Sequence, residues 1–308
     1  MFIGTVQQIW RHPVKSMAGE RLGDCTVGPL GIPGDRGWAL RDETTGEISN
    51  GKRIPLLMDC AAHYREQPTQ GTTPSVKITF PDGSEVGSSD EDVNSRLSQV
   101  LGKDVTLWPL QPASNKAHYR RKTAAARTLG RLSRFKAFRD ALPSIISLTN
   151  QEAGVREFFS READEPIPNM AVMPPEVIEF TSPPGTYFDA FPINVLTTAS
   201  LEAMSRFNPN AVWDVRRFRP NFLIETDKEF EGLIEARWSD RILRVGSVEF
   251  KCEIPCARCG MTSHGHSGLP KDPSVLRSIV KDADQNLGIY ASVVQSGQIS
   301  IGDTVELL

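Results

Sequence analysis

Residues 2–16 read FIGTVQQIWRHPVKS, and the reading of this stretch decides the fold class. From Phe2 to Trp10 apolar and polar positions alternate, which is the period of a β-strand. Pro13 has no N–H to give to a ladder, so the strand stops at His12 and a loop carrying Lys15 and Ser16 begins. Further short strand signals follow at Asp24–Val27, Trp38–Arg41, Val76–Phe80 and Val105–Pro109, separated by Gly, Pro, Asp and Asn. Many short strands with frequent turns predict a β-rich, barrel-like or sandwich-like first domain over residues 1–110. One helix is expected over Ser89–Leu101, where Val93, Leu97 and Leu101 share a face.

Residues 111–185 break the pattern and read as a linker or excursion, partly helical over Ala124–Ala141. Between Lys116 and Arg139 there are many Lys and Arg and no acidic residue. Such a run either docks an acidic partner or is a solvated helix face whose charges meet acidic neighbours elsewhere in the chain, and the second reading is preferred. A second domain is expected over 186–308, or from near 135. It shows strands at Ile193–Thr197, Phe222–Glu225, Arg244–Val245 and Val248–Cys252, with a helix at Ser200–Phe207. The tail, Gly288–Val294 and Gln298–Leu308 around Gln295-Ser296-Gly297, reads as a β-hairpin.

With 308 residues, roughly two domains are expected. A formal net charge of -3 gives no general pull toward nucleic acid. The start lacks a basic segment followed by a long apolar one, and no run of about 18 apolar residues occurs, so neither a secretory signal nor a transmembrane helix is expected. Three of the five cysteines, Cys252, Cys256 and Cys259, crowd into eight residues, unlike a distributed disulfide framework. A reducing, cytoplasmic setting is therefore expected.

The densest chemistry is Cys252-x3-Cys256-x2-Cys259-x4-His264-x-His266. Four readings stand open: packing cysteines, a structural zinc site, a redox pair, or a lone thiolate holding a cofactor. A second constellation is suited to anions. His12-Pro13-Val14-Lys15-Ser16 supplies a point charge and a hydroxyl, and Gly34-Asp35-Arg36-Gly37 an arginine in a glycine-flanked turn. Arg216-Arg217-Phe218-Arg219-Pro220-Asn221 adds planar guanidinium forks, which match phosphate oxygens. A Walker loop, a GxGxxG, a GxSxG elbow and an HExxH motif are all missing, so NTPase, nicotinamide dehydrogenase, α/β-hydrolase and zincin readings have no starting point.

At these motifs the sequence resembles the MOSC superfamily with its N-terminal β-barrel partner, including the mitochondrial amidoxime-reducing component and its bacterial relatives. The ordered set runs over the whole chain: His12–Ser16, Gly34–Arg36, Asp189–Pro192 with Thr198–Leu201, Phe218–Asn221, Cys256–Cys259 and Ile301–Val305. The resemblance implies a mixed, β-rich α+β fold, with a β-barrel-like MOSC domain and a smaller β-rich N-terminal domain. It implies a molybdenum cofactor bound through Cys259, with Lys15, Ser16, Arg36, Arg219 and Asn221 holding the pterin and its phosphate. Asp189 and Ser200 would line the other side of the pocket, and Cys256 would be a nearby, non-ligating thiol. The implied reaction is reduction of N-hydroxylated compounds such as amidoximes and hydroxylamines. Electrons would come from a separate ferredoxin- or cytochrome-type donor with its reductase, and His264 or His266 would be candidate proton donors, though a structural role is preferred for both. A sulfur carrier using a Cys259 persulfide is the alternative from another class.

Overall fold

The computed structural model describes residues 1–148 and 151–308, so two residues of the 111–185 excursion lie outside the described residues. Seven strands close into a barrel. In spatial order they are Phe2–Arg11, Phe222–Thr226, Ile193–Thr197, Asn286–Gln295, Val248–Ala257, Ile242–Val245 and Thr304–Leu307, which returns to Phe2–Arg11. Every pairing is antiparallel except Ile193–Thr197 against Phe222–Thr226. A parallel pair needs a crossover, and the helix Thr198–Phe207 supplies it, started by the Thr197 side chain accepting from the Ser200 N–H.

The barrel is filled by side chains including Ile3, Val6, Ile9, Val195, Phe222, Val245, Phe250, Ile289 and Val305. Inward positions in the opening strand fall at 3, 6 and 9 because its register shifts on both flanks. Those irregularities bend the strand around the barrel, which blurs the alternation visible in the sequence. Gly4 permits the tight approach on one flank: a Cβ there would lie 1.9 Å from the Glu225 carbonyl oxygen.

The tail does not form the expected hairpin. Asn286–Gln295 pairs with Val248–Ala257 and Ile193–Thr197, whereas Gly297–Ser300 pairs with Asp24–Val27 and Thr304–Leu307 with the opening strand. Turn chemistry around Gly297 marks where the chain bends, but closing the barrel gives each half other partners. The opening strand and Asp24–Val27, which lie early in the sequence, accordingly pack into the barrel core.

Glu20–Leu22 pairs with the opening strand, and the remaining N-terminal strands form two three-stranded sheets: Glu47–Ile48, Trp38–Asp42 and Val105–Pro109, then Ala61–Tyr64, Val76–Thr79 and Glu85–Gly87. They share a core with Val14, Met17 and the helix Val93–Leu101, whose buried face is Val93, Leu97 and Leu101 as expected. The excursion is a set of short helices. Its basic run stays largely solvated, but three of its arginines, Arg120, Arg131 and Arg134, lie 3.4, 3.9 and 2.8 Å from the buried Glu179 carboxylate. Among the described residues no helix is long and apolar enough to cross a membrane.

Candidate functional site

Loops from three places meet over one cavity. The loop after the opening strand brings Lys15 and Ser16, the glycine-flanked turn brings Arg36, and the segment after the crossover helix brings Arg219 and Asn221. Ser16, Arg36 and Arg219 have φ of 70, 49 and 51°, a left-handed backbone that side-chain-bearing residues seldom adopt. Strain gathered at three residues of one cavity marks a site where position is held at the expense of local comfort.

Asp35 is the internal anchor of this cavity. It accepts hydrogen bonds from the His12 N–H at 2.7 Å and Asn221 Nδ2 at 2.9 Å, and forms an ion pair with Arg36. Burial opposes its ionisation, but Arg36 and His12 outweigh that and hold the carboxyl well below the usual range. The Asn221 carbonyl oxygen accepts from the Asn194 N–H at 3.1 Å, so this amide braces the turn from inside.

Lys15 is buried, and its ammonium donates to Asp189 Oδ1 at 2.6 Å and to the Tyr187 carbonyl at 2.8 Å. Asp189 lies at the rim of the cavity, with its side chain 72% exposed, and desolvation by the surrounding protein still works against its charge. Lys15 outweighs the desolvation and keeps the carboxyl well below its ordinary range. Arg219 donates one terminal nitrogen to the Met17 carbonyl, and its Nη2 is buried without a partner. Burial first, then Arg36, push its pKa down to about 9, yet a guanidinium remains charged at neutral pH. An orphaned cation in this setting fits an anionic group such as a phosphate.

Cys259 lies at the mouth of the same cavity. It is the one cysteine of five that is not buried. Arg258 fixes the backbone on which it stands, donating to the Leu287 carbonyl at 2.7 Å and the Phe218 carbonyl at 2.9 Å. Arg161 donates to the Arg258 carbonyl at 2.8 Å, and Thr262 Oγ1 to the Cys259 carbonyl at 3.0 Å. The other two clustered cysteines are spent in packing. Cys252 is in the barrel core, where burial pushes its thiol up to about 12, and buried Cys256 is raised for the same reason.

The structural-zinc reading fails, because among the described residues no group of three or more His, Cys, Asp or Glu is placed to hold a metal ion. Neither His264 nor His266 lines the Cys259 cavity. His266 instead faces a small cleft beside His12 and Trp10, and burial pushes its pKa down to about 4. Ser200 also lies elsewhere: its buried hydroxyl donates to Glu235 Oε2 at 2.5 Å inside the crossover. Position along the chain could not separate a pocket face from the inner face of that helix.

A second, larger cavity opens on the other side of Cys259. Asp189, Ala257, Cys259, Met261 and Tyr290 line both, so the thiol stands at their junction. Much of the outer wall comes from the excursion, with Arg121, Phe158, Met173 and Val177, and Lys52 faces them from the N-terminal domain. Sequence reading singled out none of these outer residues, and Asp35 appeared in a quoted motif without a role. Of the three left-handed residues only Arg36 was foreshadowed, by the glycines around it.

The barrel, its N-terminal partner and the thiol-bearing cationic cavity define a two-domain MOSC protein. The MOSC domain model matches residues 184–306 and the MOSC N-terminal beta barrel domain model residues 3–117, and the chain belongs to this family. It is 25% identical to Mitochondrial amidoxime reducing component 2 of Bos taurus, over 98% of this chain and 83% of that protein. It is 33% identical to Molybdenum cofactor sulfurase of Drosophila ananassae, over 30% of this chain and 12% of that protein. Among solved structures, the YUAD protein from Bacillus subtilis aligns with a TM-score of 0.41 at 11% identity, over 99% of this chain and 95% of that one.

Proposed function

We propose that this chain is a molybdenum-cofactor-dependent reductase of N-hydroxylated compounds in which Cys259 is the protein ligand to the metal. The observation that carries the reading is the half-buried Cys259 thiol at the junction of a cationic inner cavity and a roomy outer one. A pterin cofactor with a phosphate fits the inner cavity on three counts. Arg219 has a buried, unpartnered nitrogen, Lys15 and Arg36 add charge, and Cys259 is the one cysteine thiol that is not buried. Lys15, Ser16, Arg36, Asp189 and Arg219 would hold it, with Asn221 keeping Asp35 and Arg36 in place.

Bound there, the cofactor supplies two-electron chemistry for cleaving an N–O bond. The overall change is R–NH–OH plus two electrons and two protons giving R–NH2 and water. Electrons come from a separate donor protein of ferredoxin or cytochrome type, and protons from solvent reaching the outer cavity. Cys259 contributes its thiolate, Arg258 and Thr262 fix the loop that aims it, and the outer cavity orients the substrate's N–O group toward it.

Anaerobic turnover of benzamidoxime to benzamidine, with reduced methyl viologen as donor, tests this in molybdenum-loaded protein. We expect conversion in the wild type and none with Cys259→Ser. Fully loaded protein that leaves benzamidoxime, N-hydroxy bases and hydroxamic acids untouched would contradict it. Recovery of a Cys259 persulfide without molybdenum would identify a sulfur carrier instead.

A further inference from the structure

The outer cavity holds two cations that have no carboxylate ion-pair partner among the described residues. Lys52 Nζ donates to the Phe158 carbonyl at 2.9 Å and lies 3.2 Å from the centre of the Phe158 ring. The Arg121 guanidinium lies 5.6 Å from the same ring and donates only to the Val177 carbonyl at 3.2 Å. Both are half-buried. Neighbouring Arg53, by contrast, is paired with Glu47 at 3.0 Å. Cations held in partly desolvated surroundings without a counterion destabilise the empty site and favour an anionic ligand.

Neither Lys52 nor Arg121 lines the inner cavity, so they are not part of the cradle proposed for the cofactor phosphate. Two carboxylates share the outer cavity, but Asp189 is already engaged by Lys15 and Glu157 is exposed at the excursion side. The two cations and Cys259 share this cavity with apolar and aromatic side chains, among them Phe158, Met173, Val177 and Tyr290. Such a wall suits a flat, apolar body whose ends differ in charge.

Resting on the reductase reading, we propose that the outer cavity selects N-hydroxylated substrates carrying a carboxylate. The acid group is held by Lys52 and Arg121 while the N–O group faces Cys259. A cation pair with this half-buried geometry is expected to favour the acid by roughly tenfold over a neutral isostere.

The test measures binding and turnover separately on the molybdenum-loaded protein. Calorimetry compares 4-carboxybenzamidine with 4-carbamoylbenzamidine, which differ only in the charged end. We expect the carboxylate to bind about tenfold tighter, with the ratio falling toward one in Lys52→Gln and Arg121→Gln. Lys52→Arg, which keeps a cation, should retain most of the preference, and the wild-type ratio stands even if a variant folds poorly. Equal wild-type affinities, or a ratio unchanged in both Gln variants, would overturn the proposal. Turnover of the matching amidoximes then separates the two readings. Reduction of both with equal kcat/KM sinks the substrate preference and leaves the reductase standing. Tight carboxylate binding with no turnover of either supports the anion site and sinks the reductase.

Discussion

Asp35 carries three partners at once, the His12 backbone, Asn221 and Arg36, and it does so with almost no exposure. Removing one member of a buried pair strands the other, which costs more than the pair ever contributed. Asp35→Ala would leave Arg36 beside Arg219 without its ion-pair partner. We expect a loss of roughly 3–5 kcal/mol of stability by urea denaturation, and a change under about 1 kcal/mol would show that the network is dispensable.

The buried histidines set the acid response. His12, through burial and then Arg219 and Arg36, is pushed down to about 3, and His266, through burial and then Arg219 and Arg217, to about 4, from an ordinary 6.5. As pH falls below that ordinary value the unfolded chain takes up protons that the folded one refuses, so stability drops with acid. The slope is about 1.4 kcal/mol per pH unit for each histidine. Asp35 and Asp189 act lower: their contribution is complete above their ordinary value of 3.8 and disappears only as pH falls toward their depressed folded values. Urea denaturation at pH 7, 6 and 5 should therefore show a steepening loss, smaller in His266→Gln. A flat profile over that range would contradict the burial of neutral imidazoles.

At the scale of elements, the excursion is the part where folding and function are joined most loosely. Its helix Ala124–Leu132 packs on Pro175–Glu179 through Gly130, where a Cβ would lie 2.5 Å from Glu179 Cα. That approach also delivers Arg131 and Arg134 to Glu179. Gly130→Ala must push the helices apart. We expect faster limited proteolysis within residues 120–180 while the barrel stays resistant, and cleavage unchanged from wild type would show the contact to be soft. The lack of acids in Lys116–Arg139 was legible in the sequence, and so was the prospect that its charges meet acids elsewhere. The partner itself, Glu179, was not, because an ion pair spanning some sixty residues leaves no local spacing to read. Helix ends were likewise blurred: the run expected over Ala124–Ala141 is two helices, Ala124–Leu132 and Lys136–Asp140.

At the scale of the whole molecule, the barrel-like, β-rich fold implied by the resemblance is present, but the strand partners that close it were not legible. Strand positions such as Asp24–Val27, Val105–Pro109 and Ile193–Thr197 were readable from turns and β-branched residues. Their partners were not, and the tail shows why. Gly297 signals a bend whether the two flanking strands pair with each other or, as here, with strands elsewhere in the chain. The site was more legible than the topology. Lys15, Ser16, Arg36, Asp189, Arg219, Asn221 and Cys259 all line one cavity, whereas Ser200 does not. The outer cavity stayed invisible because Lys52, Arg121 and Phe158 carry no motif and meet only when the excursion folds over the barrel.

The measurement that bears most directly on the account is molybdenum and pterin content, wild type beside Cys259→Ala, purified from a host that makes the cofactor. The account predicts about one molybdenum and one pterin per chain in the wild type, with the metal lost in the variant while the barrel remains folded. Wild-type protein free of both, under conditions that load a control molybdoenzyme, or a Cys259→Ala variant that keeps its full metal content, would contradict it.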